Sequence, residues 1–208
     1  MSGTQRVAIV DYGMCNLDSV KRAFETIGAD AYVTERPGDL LAADRIVLPG
    51  VGAFPDGMRN LRDRGFDEAL VAEVVEAGAP FLGVCLGMQM LAALGHEVEP
   101  TKGLGWLDAE VVRLVPTAGD RRIPHVGWNE VRPARESPLF AGIPADADFY
   151  FVHSFHFVSA DPDDVLATTP YCGGFASAVN RANAYGVQFH PEKSQQWGLR
   201  LLENFLAC

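Results

Sequence analysis

The sequence predicts an α/β domain with a parallel β core, an antiparallel extension and helices on both faces. Two observations carry this expectation. Residues 6–94 alternate short apolar runs with stretches of helical periodicity, the rhythm of parallel strands joined by right-handed crossovers. After Gly103 the helical stretches cease, and short strand-like runs follow one another to Gln188.

The elements follow in order. Arg6–Val10 (RVAIV) reads as a buried strand. Asn16 can cap a helix whose apolar positions Leu17, Val20, Phe24 and Ile27 share one face, and Gly28 ends it. Residues 31–34 and 45–48 read as further strands. Residues 66–77 read as a helix with Phe66, Leu70, Val74 and Ala77 on one side. Residues 80–84 read as a strand that runs directly into a helix from Cys85 to about Leu94. The later strands are expected at 109–115, 126–131, 149–158, 165–168, 175–179 and 184–189. A last helix carries Leu199, Leu202, Phe205 and Leu206. No linker or repeat divides the chain, so residues 1–208 read as a single domain.

Composition narrows the function. Apolar residues make up 48% of the chain, enough for a sizeable core, and the 21% that are charged form no long like-charge run. The net charge of −10 argues against a basic nucleic-acid footprint, and solubility accounts for it. The lead-in Met1–Arg6 is polar, and Val7–Val10 is too short for a signal-peptide core or a membrane span. The expected location is the cytosol. Cys15, Cys85, Cys172 and Cys208 show no CxxC and no metal spacing, so each is expected to be a free thiol.

The most informative segment is FLGVCLGMQ at 81–89. An apolar strand enters Gly83-x-Cys85-x-Gly87 and a helix begins at once, which is the nucleophile-elbow pattern with Cys in place of Ser. The sharp turn pushes its tip residue out of the sheet, and the two glycines let neighbouring backbone pass close. A thiol at a helix start is favoured as thiolate by the dipole and the free N–H groups. The N–H of Leu86 points to where an oxyanion would form. The competing reading is a buried structural Cys packed by glycines.

A nucleophilic Cys needs a base, and the base needs an orienting group. Of the five histidines, His96 lies in a polar loop, His125 follows Pro124 in an irregular stretch, and His153 and His156 flank a strand as candidate core histidines. His190 differs. The run VQFHPE ends an apolar strand at His190, and Pro191 keeps the preceding backbone extended. Residues two apart on an extended chain share a side, so Glu192 can hold the imidazole in one tautomer. The loop Gly50-Val51-Gly52 follows a strand and can turn backbone amides toward a developing oxyanion. No Gly-Lys-Ser/Thr follows, so a phosphate loop is disfavoured. A tight surface turn is the alternative.

Together, GVCLGMQ, PGVGAF and HPE resemble the class I (triad-type) glutamine amidotransferases. Further stretches resemble the glutaminase subunits of imidazole glycerol phosphate synthases, the HisH family: IVDYGMCNLDSV near the start, KGLGW at 102–106, PHVGWN at 124–129, YFVHSF at 150–155 and GVQFHPEKSQ at 186–195. The likeness spans nearly the whole chain. It implies a flavodoxin-like amidotransferase sheet. It implies that Cys85 forms a glutamyl thioester, that His190 moves the proton, and that Glu192 orients His190. Gly50, Val51, Gly52 and Leu86 would serve the oxyanion, and Gln89 would help bind L-glutamine. The ammonia would pass to a HisF-type (β/α)₈-barrel cyclase in histidine biosynthesis, with Asn16, Trp128, Tyr150 and Lys193 at the partner interface. Core packing for the aromatics and a solvated Lys193 are the bland alternatives. No metal or organic cofactor is implied.

Two positions depart from the family pattern. Cys15 replaces the second glycine of DYGMGNL, where a side chain at positive φ would be strained, so the loop at 13–16 is expected to differ slightly. His156 stands where an aromatic is more familiar. The rival readings are a glutaminase subunit of another biosynthetic synthase, a stand-alone elbow-Cys hydrolase, and a binding module that has lost catalysis.

Overall fold

A computed structural model describes residues 4–120 and 122–208; Met1–Gly3 of the polar lead-in lie outside it. In chain order the elements are β1 Arg6–Val10, α1 Leu17–Thr26, β2 Asp30–Thr34, β3 Arg45–Gly50 and α2 Phe54–Asp63. Then come α3 Phe66–Leu70, which passes into a π-helical segment Val71–Glu76, β4 Phe81–Cys85 and α4 Leu86–Gln89. Short strands follow: β5 Ala92–Gly95, β6 Thr101–Lys102, β7 Leu107–Arg113, β8 His125–Glu130, β9 Arg132–Pro133, β10 Asp148–His153 and β11 Phe155–Ser159. The chain closes with β12 Val165–Thr169, β13 Phe175–Arg181, β14 Ala184–Val187 and α5 Gln195–Ala207.

The main sheet runs β2-β1-β3-β4-β14-β13-β11-β7-β5-β6, with β12 and β9 joined beside β13. Strands β2, β1, β3, β4 and β14 pair in parallel. From β14 to β13, β11 and β7 the pairing is antiparallel. The expected parallel core with an antiparallel extension is thus observed.

Strand alternation divides the core in two. Val7 and Ile9 of β1 and Leu82 and Val84 of β4 face one side, where α1 (Val20, Phe24) and α5 (Leu201, Leu202, Phe205) cover them. Ala8, Val10 and Phe81 face the other side, covered by α2 (Phe54, Met58, Leu61) and α3 (Phe66, Leu70). Successive side chains on a strand point to opposite faces, so each run buried on both sides reads as continuously apolar. Each fully buried aromatic or branched side chain contributes roughly 1.5–3 kcal/mol.

Several expectations need correction. The segment Phe54–Asp63 is a helix, although the sequence reading left it unassigned. The helix after Cys85 stops at Gln89, and Ala92–Gly95 is a strand. An apolar run buried all round has no period that distinguishes a short helix from a strand. The strand expected at 149–158 is two strands broken at Ser154, and β10 pairs with β8 in a separate two-stranded sheet. Asn16 stands at the start of α1 but makes no side-chain capping bond. Gly28, at φ +86°, does end the helix. Among the described residues, no helix is long and apolar enough to cross a membrane.

Candidate active site

In a doubly wound sheet, ligands bind outside the carboxyl ends of the parallel strands. Four segments converge there: the loop after β1, the Gly50–Gly52 loop after β3, Cys85 at the end of β4, and His190 beyond β14. Gly50 stands opposite Cys85 in the β3–β4 register.

Cys85 has φ +55° and ψ −107°. Such backbone in a non-glycine residue costs on the order of 1–3 kcal/mol and persists only where the surroundings impose it. The surroundings here are two close backbone contacts. A Cβ on Gly83 would lie 2.6 Å from the Gly87 carbonyl oxygen, and a Cβ on Gly87 would lie 1.8 Å from the Leu48 carbonyl oxygen. Both glycines are therefore required by space, and the elbow can close only on them. The thiol is buried, with its sulfur 3.7 Å from the Gln188 amide nitrogen.

His190 is also buried, and its Nδ1 lies 2.8 Å from Glu192 Oε1. The contact forms differently from the sequence expectation. His190 itself is extended, but Pro191–Lys193 is a 3₁₀ turn, and that turn folds Glu192 back onto the ring. Burial disfavours the imidazolium, but the adjacent Cys85 sulfur and the Glu192 carboxylate outweigh it and raise the His190 pKa to about 10. Nε2 has no protein hydrogen-bond partner. With Nδ1 committed to Glu192, Nε2 is the atom left for the sulfur and for a reacting group.

A cavity of about 440 Å³ opens beside the sulfur, lined in part by Val51, Gly52, Gln89, Glu97 and His153. The amide of Gln89 is committed inward, donating to Phe155 O and to Gln188 Oε1 at 3.0 Å each. Only its carbonyl oxygen remains for a ligand. Glu97 accepts the N–H of Phe54 at 2.8 Å and is the one acidic residue among those lining the cavity. The sequence reading missed both Glu97 and Gln188. Glu97 lies in an unpatterned polar loop, whereas Gln188 is a polar residue inside an apolar strand run, a signal that could have been used.

The oxyanion expectations separate. Leu86 opens α4 directly after Cys85, where helix-start N–H groups have no intrahelical partner. The N–H of Val51 instead donates to Met14 O at 2.8 Å. Cys15 is not among the described residues at positive φ, so the expected strain is absent; its thiol lies 3.3 Å from the Pro49 carbonyl oxygen. Trp128, expected at a partner interface with core packing as the alternative, is 47% exposed and faces Tyr150 across β8–β10. Asn16 and Lys193 are exposed. His125, expected in an irregular stretch, is buried at the start of β8, and its Nδ1 lies 3.0 Å from His153 Nε2.

Fold and site together define a doubly wound α/β protein that holds an elbow cysteine beside a buried His–Glu pair at the carboxyl ends of its strands. Comparison with known proteins makes this specific: the chain belongs to the class-I glutamine amidotransferase family, whose model matches residues 8–208. Among curated proteins, it is 48% identical over 199 residues to "Imidazole glycerol phosphate synthase subunit HisH" of Moorella thermoacetica, covering 96% of this chain and 93% of that protein. The protein of the same name from Salinibacter ruber is 47% identical, with the same coverage of each chain. Among solved structures, PurLQS from Thermotoga maritima superposes with a TM-score of 0.77 at 18% identity, covering 98% of both chains. At that identity the likeness concerns the fold alone. This chain is an enzyme, a glutamine amidotransferase.

Proposed function

We propose that this chain is the glutaminase subunit of an imidazole glycerol phosphate synthase and acts through Cys85, His190 and Glu192. One observation carries the mechanism: an elbow cysteine beside a buried His190–Glu192 pair, at the mouth of a cavity large enough for an amino acid. The Cys85 sulfur attacks the side-chain amide carbon of glutamine. The amide oxygen takes up the charge, and the N–H of Leu86 is placed to receive it. His190, holding the thiol proton at Nε2, gives it to the leaving nitrogen, and ammonia departs from a glutamyl thioester. Water, deprotonated by His190, then cleaves the thioester to glutamate and free thiol. Glu192 holds the ring in one orientation throughout.

Substrate recognition follows from the cavity lining. The α-ammonium of glutamine needs acceptors, and the Glu97 carboxylate and the remaining Gln89 oxygen supply them.

The ammonia acceptor in this reading is a HisF-type (β/α)₈ cyclase. Asn16, Trp128, Tyr150 and Lys193 would meet it, and the exposure of Trp128 supports that assignment over core packing. Residues 1–208 act as one domain in the cytosol, without metal or organic cofactor. The test is a glutaminase assay with and without the cyclase and its nucleotide substrate. Glutamine-dependent product formation by the pair supports the reading; glutamine hydrolysis that no cyclase stimulates, with a different synthase recovered in pull-down, refutes it.

A further inference from the structure

Two sets of contacts outside the triad meet at Ser194, which is 1% exposed. Its hydroxyl donates to the carbonyl of His190 at 2.6 Å and accepts the N–H of Tyr150 at 3.0 Å. The N–H of His190 in turn donates to the carbonyl of Tyr150 at 2.9 Å. The three bonds close a ring that joins the main chain of the base to the main chain of β10.

That strand has an unusual position. Its only ladder partner among the described residues is β8, and the pair stands apart from the main sheet. One face is anchored inside, where Phe149 and Phe151 pack on Phe189 at centroid distances of 4.2 and 5.7 Å. The other face carries Val126 and Trp128, 57% and 47% exposed, opposite Val152 and Tyr150. This sheet meets the site at two points: the ring bonds it to the His190 main chain, and the Val152 carbonyl oxygen of β10 lies 4.0 Å from the Cys85 sulfur.

We infer that Ser194 is a positioning residue: it locks the backbone of His190 to Tyr150, so that the exposed two-stranded sheet sets where the base stands relative to Cys85. This rests on the glutaminase reading above. Glu192 fixes the tautomer and rotation of the ring but touches only the side chain. Ser194 fixes the main chain that carries it. Without the hydroxyl, the buried N–H of Tyr150 loses its partner, the His190 carbonyl keeps only the N–H of Lys193, and one hydrogen bond instead of two joins the turn to β10. A displacement of the base on the order of 1 Å costs roughly 10² in rate.

The experiment compares wild type, Ser194→Ala and Ser194→Cys in the complex with the cyclase, using glutamine or ammonia as nitrogen source. Ser194→Ala is expected to lower glutamine-dependent kcat about 10- to 100-fold, leave KM for glutamine within about threefold, and leave ammonia-driven turnover unchanged. The alkaline limb of kcat/KM should move to lower pH, because a displaced His190 loses contact with the groups that hold its proton. Ser194→Cys keeps the volume with a weaker donor and should fall between the two; it also carries the test if the Ala variant does not fold. Wild-type kcat and an unmoved limb in the folded variants would overturn the inference, as would an equal loss with ammonia. If wild type itself makes no product from glutamine, the glutaminase reading fails first, and that result is distinct from either.

Discussion

The amide of Val51 donates to the carbonyl of Met14 at 2.8 Å, so the middle donor of the glycine loop is engaged within the protein. In the proposed mechanism Leu86 serves as the oxyanion donor without Val51. Loss of one such donor typically costs about 10²–10³ in rate. The isolated chain is therefore expected to hydrolyse glutamine about 10²- to 10³-fold more slowly than the complex with cyclase and nucleotide bound. A steady-state comparison of the two checks this, and brisk hydrolysis by the chain alone would contradict it.

The nucleophile assignment has its own test. Cys85→Ala should abolish glutamine-dependent product formation by the complex and leave ammonia-dependent formation intact, because the sulfur participates only in releasing ammonia. Trapping with radiolabelled glutamine should detect a protein-bound thioester in wild type and none in the variant. Wild-type use of glutamine by the Ala variant would end the assignment.

Gly87 tests the geometry of the elbow. An added Cβ would meet the Leu48 carbonyl oxygen at 1.8 Å, and that atom is backbone in the parallel core. Neither side can yield without moving β3 or α4. Gly87→Ala is expected to cost about 1–3 kcal/mol or more in stability and to remove most glutamine-dependent turnover. Gly38→Ala is the control, because a Cβ there meets nothing within 4 Å. Equal denaturation midpoints for the two variants would show that the elbow tolerates a side chain.

Glu97 is expected to act on binding more than on chemistry. It faces the cavity but makes no hydrogen bond to Cys85, His190 or Glu192. Glu97→Gln should raise KM for glutamine by about 10-fold or more with a smaller change in kcat, the pattern of lost ground-state binding. An unchanged KM would remove Glu97 from the substrate site.

These tests draw on parts of the molecule that were unequally visible in the sequence. The elbow and the His190–Glu192 pair were legible because their chemistry is local: a strand, two glycines and a proline specify the backbone that presents them. The helix Phe54–Asp63 was not: it follows directly on the glycine loop and carries Pro55 and Gly57, residues that ordinarily interrupt a helical pattern. Yet proline fits a helix's first turn, and Gly57 is needed where a Cβ would meet Leu86 Cδ2 at 2.9 Å. The spacing of Phe54, Met58 and Leu61 was the available signal. The break at Ser154 was hidden because β10 and β11 are both good strands, and only tertiary pairing assigns them to different sheets. Glu97 and Ser194 take their roles from long-range contacts that no local pattern encodes.

The buried histidines give the last prediction. His125 stacks on Tyr171 and Phe151, and its Nδ1 faces His153 Nε2; His153 Nδ1 in turn lies 2.8 Å from the Phe155 carbonyl. That carbonyl fixes one tautomer: Nδ1 of His153 donates, so its Nε2 accepts from His125. Burial lowers His125 to about 4, against a small opposing effect of Asp120. Burial also lowers His153 to about 3, helped by the nearby histidines and opposed by the Phe155 bond. Both folded values lie below the unfolded value near 6.5, so the unfolded chain takes up protons first as pH falls. Stability is full above about pH 6.5 and declines toward pH 4, by up to about 1.4 kcal/mol per pH unit for each histidine. His156, also lowered by burial, adds the same sign. His190, raised to about 10, has the opposite sign: its contribution is full below about pH 6.5 and is lost as pH rises from there through 10, outside the acid window. His125→Asn keeps a donor toward His153 but removes one titrating group. Its stability at pH 7.5 should fall because the ring stacking is lost, yet its decline between pH 6.3 and pH 5 should be shallower than wild type by up to about 1.4 kcal/mol per pH unit. Urea unfolding across that window measures the slope, and parallel curves for the two proteins would mean that His125 is not held neutral in the fold.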